Sequence, residues 1–484
     1  MRIFLSSEGR RPAQPLPRRH GGGDIPGTLS GAPIPGAPTT RPGPPSPTVW
    51  LLPVFSQVSA LALRVFYRFE AGGQRVPERG PALLVANHPN SLLDPAMVVS
   101  VARRPVRFLA KAPLFTDALV GWLIRGSGSI PVYRKTDDPA AMGQNENTFR
   151  AVHDALAAGA AVGIFPEGTS HSEPALVPLK TGAARIALGA AQLLGGAFPI
   201  VPVGLSLPEK ETFRSDAFAL VGSLVEWDDL AHAGEDDVDA VRELTRRIDE
   251  ALHDVTVNLA RWEDAPLVET AEAVFAAEHA ADPSPARRVA GIREITGRLA
   301  DLRARGGGDW TDLARDVRAH GRLLRVLGMR PDQLAGPDAK VAAAWVFRQL
   351  AFFLLGAPAA AIGIVLFYLP YRLTGVAEAR ARPERDVRAT YKLLMGGIFH
   401  VAWTLLLAGL AAWRWGWIAG LAALVALPAV AFVTVLVADR WERATGEARR
   451  FFLRARRRET ILALRQRQRD LAVRIGALRE HATA

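Results

Sequence analysis

His88 and Asp94 stand six positions apart in "VANHPNSLLDPAMV", residues 85–98. A carboxylate on one imidazole nitrogen fixes the tautomer and stabilises the imidazolium. The other nitrogen is then placed to take a proton from an alcohol. This is the base half of a Ser-His-Asp triad with no serine, so the substrate would bring its own hydroxyl. Direct attack on an acyl donor would follow, without a covalent enzyme intermediate. A turn histidine beside a helix-capping aspartate has the same spacing, so other residues must decide between the two.

Three further stretches follow in order. "GSIPVYRK" (128–135) ends an apolar run in Arg134 and Lys135, "FPEGTSHS" (165–172) places Glu167 and three hydroxyls after another, and "PIVPVGL" (199–205) is an apolar strand with two prolines. Arg134, Lys135, Lys111 and Lys180 are candidate partners for a phosphate. The planar guanidinium fork suits two oxygens at once. Lys180 precedes a helix beginning "TGAAR", whose first amides favour anions. Gly168 would let the backbone approach a ligand closely.

Together these stretches resemble the glycerolipid acyltransferase family, which acylates glycerol-3-phosphate and lysophosphatidate. The family pattern is His and Asp four residues apart, then an Arg block, Pro-Glu-Gly-Thr and a Pro-rich apolar strand. All four occur here in order over residues 80–210. Five residues, not four, separate His88 from Asp94, and Ser170 and His171 replace the usual Arg. Both departures resemble the fungal-type glycerol-3-phosphate/dihydroxyacetone-phosphate branch and its bacterial relatives. That branch is similar in "H-x-N-x-x-x-D-P", in "FPEG-x-SH" followed by "L-x-P-L-K-x-G", and in its C-terminal membrane segments.

The resemblance implies His88 as general base and Asp94 as its orienter. It puts Glu167, Gly168 and Thr169 at the substrate, with Ser170 and His171 standing in for the missing cation. Pro199, Ile200, Val201 and Pro202 would line an acyl-donor groove, although any core strand has the same pattern. No cofactor is implied. The co-substrate is acyl-CoA or acyl carrier protein and the acceptor is glycerol-3-phosphate or dihydroxyacetone phosphate. Acylation of 1-acylglycerol-3-phosphate or a lysophospholipid is the alternative within the class. A non-catalytic lipid-binding membrane protein is the alternative outside it.

The elements that must position these residues follow from pattern. Over residues 70–262 short apolar runs (81–87, 106–111, 129–133, 161–168, 199–207) alternate with helical stretches, which predicts an α/β acyltransferase domain with a largely parallel sheet. Val241, Leu244, Ile248, Leu252, Val255 and Leu259 at helical spacing close it. Residues 263–345 read as a helical subdomain. Residues 1–48 are Pro-, Gly- and Arg-rich and read as a disordered tail with no signal peptide. Residues 49–69 read as an interfacial amphipathic helix.

Within 346–440, segments 350–371, 393–413 and 416–438 are each apolar and long enough to span a bilayer. Gly356, Pro358 and Gly363 in the first predict a broken, re-entrant segment. A basic helical tail, 441–484, ends the chain. The net charge is +11. The excess lies beside membrane segments and lacks interleaved stacking aromatics, so anionic membrane lipid is the expected partner and nucleic acid is not. The chain has no cysteine and its histidines show no ligand spacing, so no metal is expected. The basic segments predict an integral protein of the inner membrane, its catalytic domain facing the cytoplasm.

Overall fold

The computed structural model describes residues 52–91, 93–117, 121–133, 143, 145–279, 284–305, 308–335, 339–383 and 387–480. The expected tail 1–48 lies outside them, as do Arg134 and Lys135.

Seven strands form one mixed sheet: β1 (Arg68–Gly73), β2 (Ala82–Ala86), β3 (Val106–Lys111), β4 (Ile130–Val132), β5 (Ala161–Ile164), β6 (Ile200–Ser206) and β7 (Asp216–Val221). The order is β1-β7-β6-β2-β5-β3-β4. Strands β2 to β6 are parallel to their neighbours, whereas β7 runs antiparallel to β6 and carries β1 parallel to itself. The continuous apolar run "ALLVA" of β2 belongs at the centre, where both faces are covered. Leu83 and Val85 enter one core cluster with α5 (Asn145–Ala157), α6 (Gly182–Leu194) and α7 (Val238–Val255). Ala82, Leu84 and Ala86 enter a second on the other face, with α1 (Leu52–Phe66) and α2 (Leu93–Ala102).

Two expectations change here. The 161–168 strand stops at Ile164, because Phe165 and Pro166 turn the chain out of the sheet. The N-terminal helix stops at Phe66, and β1 follows. "RFEAGG" has neither alternation nor an apolar run, so only pairing with β7 makes it a strand.

Helices α8 (Ala265–Glu278), α9 (Pro285–Arg305) and α10 (Gly308–Leu327) form the helical region. The basic tail is not separate from it. Helix α14 (Arg458–Glu480) buries Leu471, Ala472 and Ile475 against Leu267, Val274, Ile292 and Val317. Its apolar stripe was hidden among arginines.

Helices α11 (Ala339–Ala381), α12 (Arg388–Trp415) and α13 (Trp417–Arg456) are each long and apolar enough to cross a membrane, as befits an integral membrane protein. Helices α12 and α13 form a hairpin about Gly416, with Trp413, Trp415 and Trp417 exposed at its tip. Helix α11 is the third such helix, and it packs against both α12 and α13. Gln349 accepts from Arg440 at 2.7 Å, and Glu378 faces Arg388 at 3.4 Å. Between them, Gly363 packs on Thr434, and Trp403 donates to the Leu366 carbonyl at 2.8 Å, roughly midway along the hairpin. Helix α11 therefore packs on both legs of the hairpin along its length.

The expected break is absent, and the backbone stays helical through Pro358 and Pro370. Pro370 has no N–H for the Leu366 carbonyl four residues back, and the Trp403 indole takes that place.

Candidate active site

All five parallel strands end at the same edge of the sheet, and the loops after them bring the motifs together. Open parallel sheets bind ligands at this edge, where successive loops converge. The turn after β2 begins with Asn87, whose side-chain amide pairs with the Leu205 backbone on β6 in both directions, at 3.0 and 2.7 Å. It extends the ladder by one side chain and fixes where the turn starts. Ser91 then takes a left-handed φ of +47°, and α2 opens with Asp94 pointing back into the turn.

His88 Nδ1 lies 2.8 Å from Asp94 Oδ2, and the same oxygen accepts from the Asn90 N–H at 2.7 Å. Asp94 is fully buried. Among the described residues its Oδ1 has no hydrogen-bond partner. Burial pushes the Asp94 carboxyl up from its ordinary range, while His88, the Asn90 N–H and the charge of Lys210 pull the other way. The imidazole stacks on Phe165 with centroids 4.1 Å apart, which holds its plane. No partner is found for Nε2 among the described residues, and the side chain is 15% exposed. The tautomer with hydrogen on Nδ1 thus leaves Nε2 as an accessible base.

Glu167 is 2% exposed and already engaged. It accepts from the His88 N–H at 2.7 Å, the Val177 N–H at 3.1 Å and His171 Nε2. His171 Nδ1 in turn accepts from the Glu173 N–H at 3.1 Å. Glu167 ties the turn after β2 to the loop after β5. Gly168 has φ of +75°, and a Cβ there would come within 2.5 Å of Lys180 Nζ, so glycine is needed where the lysine crosses the loop. Lys111 ends β3 at the same edge and is exposed. Thr169 is exposed, and its hydroxyl donates to the Ser170 carbonyl at 3.3 Å.

Pro199, Ile200, Val201 and Pro202 are not on a groove. Ile200 and Val201 are fully buried in the two opposite core clusters. The stretch starts β6, away from the edge where the loops converge. A central strand covered on both faces has no side free to line a groove. A cavity of ≈ 610 Å³ lined by Gly73, Val221, Val225 and Arg247 opens at that opposite end, far from His88.

Three contributors escaped the sequence reading. Asn90 sits within the quoted turn and was given no role. Tyr67 is fully buried, accepts from Asn90 Nδ2 at 2.8 Å and donates to the Lys210 carbonyl. Lys210 Nζ donates to the Pro89 carbonyl and to Ser172 Oγ, both at 2.7 Å. Nothing local marks Lys210, which lies far along the chain from the turn it braces.

A buried carboxylate behind a partly buried imidazole, at the edge of a mostly parallel sheet, is an arrangement able to take a proton from an alcohol. Residues 68–206 match the family described as Acyltransferase. Over 287 residues, 54% of this chain, the sequence is 29% identical to glycerol-3-phosphate O-acyltransferase 1 of Saccharomyces cerevisiae. Over 164 residues, 32% of the chain, it is 35% identical to glycerol-3-phosphate O-acyltransferase 2 of the same yeast. Over 149 residues, 30% of the chain, it is 28% identical to a chloroplastic 1-acyl-sn-glycerol-3-phosphate acyltransferase of Brassica napus. The matched regions span 37%, 21% and 40% of those relatives' own lengths. The segment is thus similar to acyltransferases, three of them named for glycerol-3-phosphate or its 1-acyl derivative.

Proposed function

We propose that this protein is a membrane-bound O-acyltransferase that moves a fatty acyl group from a thioester to a hydroxyl of glycerol-3-phosphate. The observation that carries this reading is the His88 imidazole, held by Asp94 on one nitrogen with the other open. His88 Nε2 removes the acceptor's proton as its oxygen attacks the thioester carbonyl. Asp94 stabilises the imidazolium that forms. The tetrahedral oxyanion is met by N–H donors of the surrounding loops. It collapses, and the thiol leaves with the proton that His88 held. The donor is acyl-CoA or acyl carrier protein.

Lys180, Lys111, Arg134 and Lys135 supply the positive charge that a glycerol phosphate requires. Glu167 works through its hydrogen bonds, holding the His88 turn, rather than by meeting phosphate. The fungal-type branch is supported by the two yeast relatives. The match to the Brassica napus enzyme favours a second reading, acylation of 1-acylglycerol-3-phosphate. One labelled acyl-CoA against glycerol-3-phosphate, dihydroxyacetone phosphate, lysophosphatidate and lysophospholipids decides among acceptors. Transfer to none of them, or equal thiol release by wild type and His88→Ala, rejects the enzyme reading.

We further propose that the catalytic domain faces the cytoplasm. The pairs Glu211–Arg388 and Arg214–Asp439 support this, because both seat the catalytic domain at the end of the hairpin away from Gly416. The six Lys/Arg of residues 372–392 then share a side with the basic α14. Single cysteines at Ser172 and Ala379 should resist an impermeant reagent in intact cells, and one at Gly416 should react. Labelling at Ser172 refutes the orientation.

A further inference from the structure

The loop after β6, residues 207–215, touches the His88 turn on one side and the membrane bundle on the other. Lys210 reaches the Pro89 carbonyl next to His88 and Ser172 in the loop after β5, each at 2.7 Å. Its own carbonyl is held by Tyr67, which is held by Asn90, whose N–H supports Asp94. One residue on, Glu211 pairs with Arg388 at the start of α12, and its carbonyl accepts from Lys392 at 3.0 Å. Arg214, in a left-handed φ of +62°, pairs with the buried Asp439 of α13. Arg68 at the start of β1 lies 2.8 Å from Asp216 and 4.0 Å from Asp439. Ala389 of α12 is itself buried in the catalytic domain's core.

We propose that this loop is a strut through which the membrane bundle positions the general base, with Lys210 as the positioning residue. The strut is short. Two successive turns, Glu209 to Thr212 and Thr212 to Ser215, link Arg388 and Asp439 to Pro89, and part-buried hydrogen bonds fix the joints. Lys210 points its ammonium at a carbonyl and a hydroxyl of the two site loops, so its role is to hold them together. A base displaced by about 1 Å loses on the order of 10²-fold in rate, so small changes in how the bundle seats would register in turnover.

The inference rests on the O-acyltransferase reading for its kinetic arm alone. The full-length protein in lipid vesicles is assayed with labelled acyl-CoA and its preferred acceptor. Lys210→Met should lower kcat by about 10–100-fold with both KM values within about two-fold, and Lys210→Arg should recover most of it. Glu211→Lys and Arg388→Glu should each lower kcat several-fold, and the double variant should return towards wild type. Hydrogen exchange of residues 86–92 is measured on the same proteins. It should rise in Lys210→Met and in each charge reversal, and fall back in the double variant. Normal kcat in Lys210→Met, or a double variant no better than its parents, overturns the proposal. Unchanged exchange in every variant overturns it too, even if no acceptor is acylated, and in that case the function reading fails separately.

Discussion

Two histidine–carboxylate pairs sit side by side at the end of the sheet, and they are built differently. His88 turns Nδ1 to the fully buried Asp94 and leaves Nε2 open. His171 turns Nε2 to the buried Glu167 and uses Nδ1 to accept from the Glu173 N–H. Both carboxylates are buried, and each meets an imidazole. A base needs a nitrogen that no protein group has claimed, and only the His88 pair keeps one. The Glu167 pair spends every position on joining two loops, the His88 N–H among them. The two pairs are thus one device: the second holds the turn on which the first works.

The sharpest break of this comparison is His88→Ala, which should lower turnover by about 10²–10⁴-fold, leaving the folded content unchanged by circular dichroism. Wild-type rates in that variant would end the distinction. Asp94→Asn should come next, at roughly 10²-fold or more, because the imidazole loses its fixed tautomer. Its stability should move the other way. Burial raises the Asp94 carboxyl in the folded state. This group's contribution is therefore fully present below the unfolded value and is lost as pH rises through the folded one. The melting temperature of Asp94→Asn relative to wild type should then climb as pH rises above the ordinary carboxylate range. A difference that falls instead would show that the hydrogen bonds outweigh desolvation.

Glu167→Gln puts an amide nitrogen against N–H donors, a penalty of about 1–3 kcal/mol in stability. Turnover should drop about ten-fold, through movement of His88 rather than loss of a reacting group. A large change in acceptor KM with kcat intact would instead make Glu167 a substrate contact. His171→Ala should have the smallest effect, under about ten-fold in kcat. A loss as deep as that of His88→Ala would mean that the two pairs share the proton transfer.

Local pattern made much of this legible. The five parallel strands show as apolar runs, the closing helix as a periodic stripe, and His88, Asp94 and Glu167 by their place after strands. Patterns within a few residues report which face of an element is buried and where a turn falls. The groove reading of Pro199–Pro202 failed because an apolar strand looks the same in a core and in a groove. Strand β1 and the apolar stripe of α14 went unread because each becomes regular or buried only against a distant partner. Which histidine keeps a free nitrogen was likewise beyond the sequence, since it depends on the Glu173 backbone and the loop's path.

By itself the sequence determined the α/β alternation, the apolar segments long enough for a bilayer and the residue types able to abstract a proton. The tertiary structure alone decided that the loops meet at one sheet edge, that α11 packs on both legs of the hairpin, and that Lys210 braces Pro89. Each of these depends on pairs far apart in the chain, such as Gln349 with Arg440 or Lys210 with Pro89. Such contacts form only when the whole core closes, and no local preference encodes them.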